Sequence, residues 1–210
     1  MALAKAVSAV APESARGKQR RARILKAATA LFLETGYSGT SIDAIVEQSG
    51  GSKATLYSYF STKEVLFRAV IDGVVSRSDV STLDASKDIR ETLCEFAVRR
   101  MRIVFSQRHR ALLRVIIEER DRFPDIARAY YELGPKGGHG MLVKYLAEKG
   151  SRGQLRIEDP EQAAESLVGM LIHRWYTEQL YLQRPPPSLA DMRERAARVV
   201  DRFIESHGLR

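Results

Sequence analysis

The sequence predicts an all-α fold, and three observations carry that prediction. Apolar residues recur at spacings of three and four along most of the chain. Side-chain caps followed three residues later by an acid or amide mark repeated helix starts. No stretch shows the sustained apolar–polar alternation, rich in valine, isoleucine and threonine, that a strand requires.

Nine helices follow in order. From Lys18 the residues Ile24, Ala27, Ala28, Leu31 and Phe32 form an amphipathic stripe, so a helix is expected over 18–35, ended by Gly36 as a C-cap. Thr40 with Asp43 caps a helix over 41–48, and a short helix follows at 52–58. Ser61 with Glu64 opens the next, 62–79, and periodicity places two more over 88–106 and 109–121. Pro124 suits the first position of a helix over 124–149, which Gly134 and Pro135 are expected to break. Asp159 with Gln162, reinforced by Pro160, opens 160–182, and Ser188 with Asp191 opens 189–207. Residues 1–16 read as a disordered basic arm, 17–64 as a small helical domain and 65–210 as a larger one.

Composition bounds the function. The chain has 210 residues, 44% hydrophobic and 29% charged, the balance of a globular protein soluble in water. A formal charge of +8 suits a polyanionic partner. Residues 1–64 hold nine Lys or Arg against five acids, and Arg16, Lys18, Arg20, Arg21 and Arg23 lead into the first helix. The single Cys94 precludes an intramolecular disulfide and reads as a small buried hydrophobe. The alanine-rich start is too short for a signal core and no membrane-length apolar run occurs, so a cytoplasmic location without membrane association is expected. There is no nucleophile elbow, no complete phosphate-binding loop and no metal-ligand spacing, and His109, His139, His173 and His207 are scattered. The reading is therefore of a protein that is not an enzyme, with no catalytic residues, metal or cofactor.

Residues 41–60 are the most informative. Two short helices are separated only by Ser49, Gly50 and Gly51, the spacing of a helix-turn-helix. Ile42, Ile45 and Val46 make an inward stripe, answered by Leu56 and Phe60, which leaves Ser52, Lys53, Ala54, Thr55 and Tyr57 facing out. Such a face can enter a major groove: small residues let the backbone approach, while hydroxyls and a lysine meet base edges and phosphates.

The residues Gly36-Tyr37, Thr40-Ser41-Ile42, Ile45, Ser49-Gly50, Ser52 to Tyr57, Tyr59-Phe60, Thr62-Lys63-Glu64 and Leu66-Phe67 together resemble the N-terminal signature of the tetracycline-repressor (TetR) family of bacterial regulators. The resemblance spans roughly residues 20–68. It implies that Thr40 holds a DNA phosphate at a helix N-terminus. It implies further that Lys53, Ala54 and Thr55 face bases, with Ser52 also at the DNA, that Tyr57, Ser58 and Tyr59 meet the DNA backbone or a thymine methyl, and that Lys63 meets a phosphate. Gly51 stands where the family usually has a branched residue, which is expected to loosen the turn, and Tyr59 where histidine is frequent.

The rest of the chain carries no short motif. The segment from Ala163 to Trp175 is apolar on more than one face, and Ala196, Val199, Val200, Phe203 and Ile204 stripe the last helix. The resemblance implies a four-helix dimer interface here, with Leu167, Leu171, Ala196, Val199, Val200 and Phe203 as its residues, and a homodimer suits a palindromic double-stranded DNA operator. It also implies a pocket for a small, partly hydrophobic inducer, for which Phe96, Met101, Phe105, Tyr130, Tyr131, Arg174 and Trp175 are candidates. Inducer binding would then shift the population toward a conformation in which the two DNA-reading heads are wrongly spaced. The rival reading is a helical small-molecule carrier or adaptor that does not use DNA.

Overall fold

Ser14 opens the first helix by accepting the Gly17 N–H at 3.1 Å. The computed structural model describes residues 14–75, 83–84, 86–182 and 184–208, whose regular secondary structure is all helical, with no strand among them. Helix α1, Ala15–Gly39, starts three residues before the expected position, so Ala15 and Arg16 are helical rather than part of an arm. Residues 1–13 of that arm lie outside the described residues. Gly36 is the expected stop: at φ 78 and ψ 173 it leaves the helical path, and the chain closes one further turn to Gly39.

Helices α2 (Ile42–Ser49), α3 (Lys53–Tyr59) and α4 (Lys63–Val75) follow. Two of their caps sit one residue later than expected. Ser41, not Thr40, accepts the Ala44 N–H at 3.1 Å, and Thr62, not Ser61, accepts the Val65 N–H at 3.1 Å. The expected continuation of α4 to residue 79 runs into 76–82, outside the described residues. Phe32, Tyr37 and Phe67 form an aromatic core with ring centroids 4.8, 5.0 and 5.8 Å apart. Ile45, Leu56 and Phe60 close it from α2, α3 and the residue after α3.

The chain divides into two compact units between Phe67 and Arg68, inside α4. The second contains α5 (Ile89–Val104), α6 (Gln107–Glu119), α7 (Pro124–Tyr131), α8 (Gly137–Ser151), α9 (Pro160–Leu182) and α10 (Leu189–His207). Asp159 and Ser188 cap α9 and α10 as expected, the latter with a reciprocal bond from the Ser188 N–H to Asp191 at 2.9 Å. The expected break at Gly134 and Pro135 is instead a π-helical turn, Glu132–Lys136, that carries α7 into α8. The wider turn accommodates a proline that has no N–H to offer, and buried Gly134 lets it lie against Val75.

The second core is built by α5, α8, α9 and α10. Leu167, Leu171, Ala196, Val200 and Phe203 lie inside it at 1% exposure or less, which corrects their assignment to a contact between subunits. Their apolar stripes pair with one another and with α5 within one chain. Of the expected interface residues only Val199 is half-buried. Arg90 on α5 binds Asp201 on α10 through Nε and Nη2, at 2.6 and 3.0 Å. Arg195 of α10 donates to the carbonyls of Met170 and Leu171 at 2.6 and 2.8 Å, with its guanidinium over the Trp175 ring. Among the described residues no helix is long and apolar enough to cross a membrane.

Candidate nucleic-acid interface

Gly50 and Gly51 have φ of 73 and 101°, backbone that side chains rarely adopt, and turn α2 sharply into α3. Arg20 of α1 lies across this turn. Its Nη2 donates to the Gly50 carbonyl at 2.6 Å, and a Cβ on Gly51 would overlap its guanidinium. The turn is therefore pinned by an arginine rather than loosened by the missing branched side chain. Arg21, one residue on, places its guanidinium 5.2 Å from the Phe60 ring centroid.

Ser52 caps α3 by accepting the Thr55 N–H at 3.1 Å, and its hydroxyl lies 3.0 Å from that of Thr55. Leu56 is buried, and the opposite face leaves Ser52, Lys53, Ala54, Tyr57 and Ser58 exposed, with Thr55 and Tyr59 half-buried. Ser58 donates to the Thr55 carbonyl at 2.7 Å. Lys53 Nζ meets Asp43 Oδ1 of α2 at 2.8 Å, and the hydrogen bond and charge of Asp43 raise the ammonium pKa. Lys63 at the start of α4 has its Nζ 4.5 Å from the Tyr37 ring centroid.

Thr40 behaves differently from its expected role. It is 2% exposed, and its hydroxyl donates to the Gly36 carbonyl at 2.7 Å and pairs with Thr35 at 2.9 Å. The side chain closes the end of α1, and the exposed hydroxyl at the N-terminus of α2 belongs to Ser41.

Four of the expected effector residues, Phe96, Met101, Phe105 and Trp175, meet in the second core. Phe96, Met101 and Phe105 are buried core, Tyr131 is 57% exposed, and Arg174 is exposed and paired with Glu178 at 2.9 Å. Trp175 packs edge-on against Phe105. Tyr130 is hydrogen-bonded to His109 Nε2 at 3.0 Å. His109 is one wall of a cleft of about 570 Å³ between α6 and α9, with Val104, Leu113, Ile117 and Leu180 as apolar walls and Arg110, Tyr176 and Gln179 among its polar ones. Burial, and then the Arg100 charge, push the His109 pKa down to about 4, and burial pushes the Tyr130 hydroxyl up to about 12. Both are neutral near pH 7.

Residues 91–208 match the family model described as AefR-like transcriptional repressor, C-terminal domain, and residues 24–70 match that of bacterial regulatory proteins, tetR family. The chain belongs to the TetR family. A putative TetR-family regulator from Mesorhizobium loti superposes with a TM-score of 0.80 at 30% identity, over 93% of this chain and 100% of its own. The flavonoid-responsive regulator FrrA gives 0.76 at 29% identity, over 92% and 99%. The Bacillus subtilis regulator YdgC is 29% identical over 184 residues, 83% of this chain and 89% of its own length. As a TetR-family member, the protein is a DNA-binding transcriptional regulator.

Sequence reasoning missed three features of this TetR-family site. Asp43, counted only as a capping partner, holds Lys53. Arg20, counted only in a basic cluster, pins the turn; the Gly50-Gly51 pair was the available signal, since two such glycines mark close approach of another group. The third is the cleft: the stripe of His109, Leu112 and Ile116 makes the histidine's burial legible, but the cleft walls Leu113 and Ile117 lie off that stripe.

Proposed function

We propose that this protein is a ligand-responsive repressor, acting in the cytoplasm, that binds a palindromic operator as a homodimer and is released by a partly hydrophobic inducer. One observation carries the reading: the face of α3 left open by Leu56 offers Lys53, Ala54, Tyr57 and Ser58 beside a turn to which Arg20 is hydrogen-bonded. In this reading residues 17–64 form the reading head, with Ser52, Lys53, Ala54 and Thr55 at the bases and Tyr57, Ser58, Tyr59 and Lys63 at the backbone. At the N-terminus of α2 a phosphate meets the Ser41 hydroxyl and free amides, with Thr40 beneath them as a support. The repressor description of the matched C-terminal family model supports repression. The likeness to FrrA, a regulator responsive to flavonoids, supports control by a small molecule. The inducer enters the cleft between α6 and α9 and releases DNA by binding the DNA-incompetent conformation more tightly.

Fluorescence anisotropy with the intergenic DNA beside the protein's own gene, across a salt series, tests the operator reading. Tight binding at one palindromic site is expected. Lys63→Ala should weaken binding to all sequences and lower the salt slope by about one, whereas Lys53→Ala and Tyr57→Ala should also relax specificity, at a cost of about 1–3 kcal/mol each. Asp43→Asn frees Lys53 from an exposed ion pair and should tighten binding by up to about fivefold at low salt. Weak binding without sequence preference, unchanged in all four variants, would favour a helical carrier instead.

A further inference from the structure

We propose that the cleft between α6 and α9 takes an amphipathic organic anion, an apolar body carrying one carboxylate, with the carboxylate seated on Arg110 and Gln179. The proposal rests on reading this cleft as the effector site. Four buried side-chain polar atoms among the described residues have no hydrogen-bond partner, and three of them, His109 Nδ1, Arg110 Nε and Gln179 Nε2, belong to residues that line this one cleft. Buried donors elsewhere in proteins are almost always paired, so such a cluster marks a place where an acceptor belongs.

The chemistry of the three atoms sets the class. The Arg110 Nε–H can only donate, and the Gln179 amide nitrogen also donates. His109 Nδ1 faces the Val104 carbonyl, whose pull slightly favours the protonated ring, but makes no hydrogen bond of good geometry to it. Its other nitrogen is engaged by Tyr130. The site thus offers donors and lacks an acceptor. Its charge has the same sense: Arg110 lines the cleft, and half-buried Arg100, which forms no ion pair among the described residues, lies close enough to His109 to depress its pKa, while Arg114 in the lining is exposed to water. Glu118, the one carboxylate in the lining, is exposed to water.

The walls fix the remainder of the molecule. Val104, Leu113, Ile117 and Leu180 require an apolar body, and about 570 Å³ lies within the roughly 300–1,000 Å³ of small-molecule pockets. Two unpartnered donors in one cleft with a mostly apolar wall suit a carboxylate, whose ionised oxygens accept charge-assisted bonds. A phosphate would bring more acceptors than the donors can satisfy.

Isothermal titration of the full-length protein with decanoate and cinnamate, beside decanol, cinnamyl alcohol and cinnamylamine, tests this. The carboxylates should bind about tenfold or more tightly than the alcohols and the amine. Arg110→Gln should abolish that preference and Gln179→Leu should reduce it, each measured on protein whose circular dichroism matches the parent. If Arg110→Gln does not fold, Gln179→Leu and the charge series decide alone. Equal binding of the alcohols, preference for the amine, no binding of either carboxylate at millimolar concentration, or a preference that survives both variants would overturn the proposal. Operator binding measured with the same compounds separates the two readings. A carboxylate preference without any change in operator affinity supports the ligand chemistry while removing its role in DNA release.

Discussion

His109 is a buried histidine held neutral by its surroundings, and this makes folding sensitive to acid. In the unfolded chain it takes up a proton near the ordinary 6.5, whereas in the folded protein burial and the Arg100 charge delay protonation until about pH 4. Between those values unfolding absorbs a proton, so this contribution is complete above about pH 7 and is lost as pH falls toward 4. The loss is about 3 kcal/mol by the linkage of pKa shift to free energy. Urea titrations at pH 7, 6 and 5 should therefore show a steeper fall in stability for the parent than for His109→Gln. Parallel curves would mean that the folded histidine titrates normally. The carboxyls of Asp84, Glu178, Asp191 and Asp201, lowered by their hydrogen-bonding and charged partners, add acid sensitivity common to both proteins. Residue by residue, sequence reading succeeded where a side chain's role is local, as with Asp159 and Ser188 at their helix starts. It failed where the role depends on a partner far along the chain, as with Arg20 reaching Gly50.

At the scale of elements, the two displaced caps share one cause. Thr40-Ser41 and Ser61-Thr62 each offer adjacent hydroxyls, and local pattern does not say which will cap. Packing decides for the first pair: Thr40 is drawn onto the Gly36 carbonyl at the end of α1, and Ser41 is left to cap α2. The α7–α8 junction is the other departure, because glycine and proline together signal a break in any isolated helix, and only the surrounding fold supplies the contacts that hold a π turn together. Gly134 is the contact point. A Cβ there would lie 3.4 Å from Val75 Cβ and Cγ1, so an added methyl fits closely and a larger group does not. Gly134→Ala should leave the melting temperature close to the parent's, whereas Gly134→Leu should cost about 1–3 kcal/mol through overpacking. Equal melting of the two variants would mean that α4 and the π turn separate freely in solution.

For the molecule as a whole, the burial of Leu167, Leu171, Ala196, Val200 and Phe203 constrains how two copies can meet. Long helices with apolar stripes were readable from sequence, but a stripe does not say whether its partner lies in the same chain or another. Here the stripes face inward, so the proposed dimer would use what they leave outside. On α9 that surface runs through Ser166, Gly169, Met170, His173, Thr177, Leu180 and Tyr181 at helical spacing, with Met170, Leu180 and Tyr181 exposed by 37, 51 and 75%. Gly169 is its test position, since a Cβ there would meet nothing within 4 Å of its own chain. Gly169→Arg should therefore fold as well as the parent, and a helix-interior glycine replaced by arginine gains rather than loses intrinsic helicity. Between two copies the same side chain would intrude on a close helix–helix contact. Sedimentation velocity should show the parent as a dimer and Gly169→Arg shifted to monomer. Operator affinity should fall about a hundredfold or more, because each half-site then loses the effective concentration supplied by its tethered neighbour. A variant that remains dimeric and binds its operator normally would move the interface away from this face of α9. The loss of operator binding in a folded monomer would instead tie DNA recognition to the pairing of two chains.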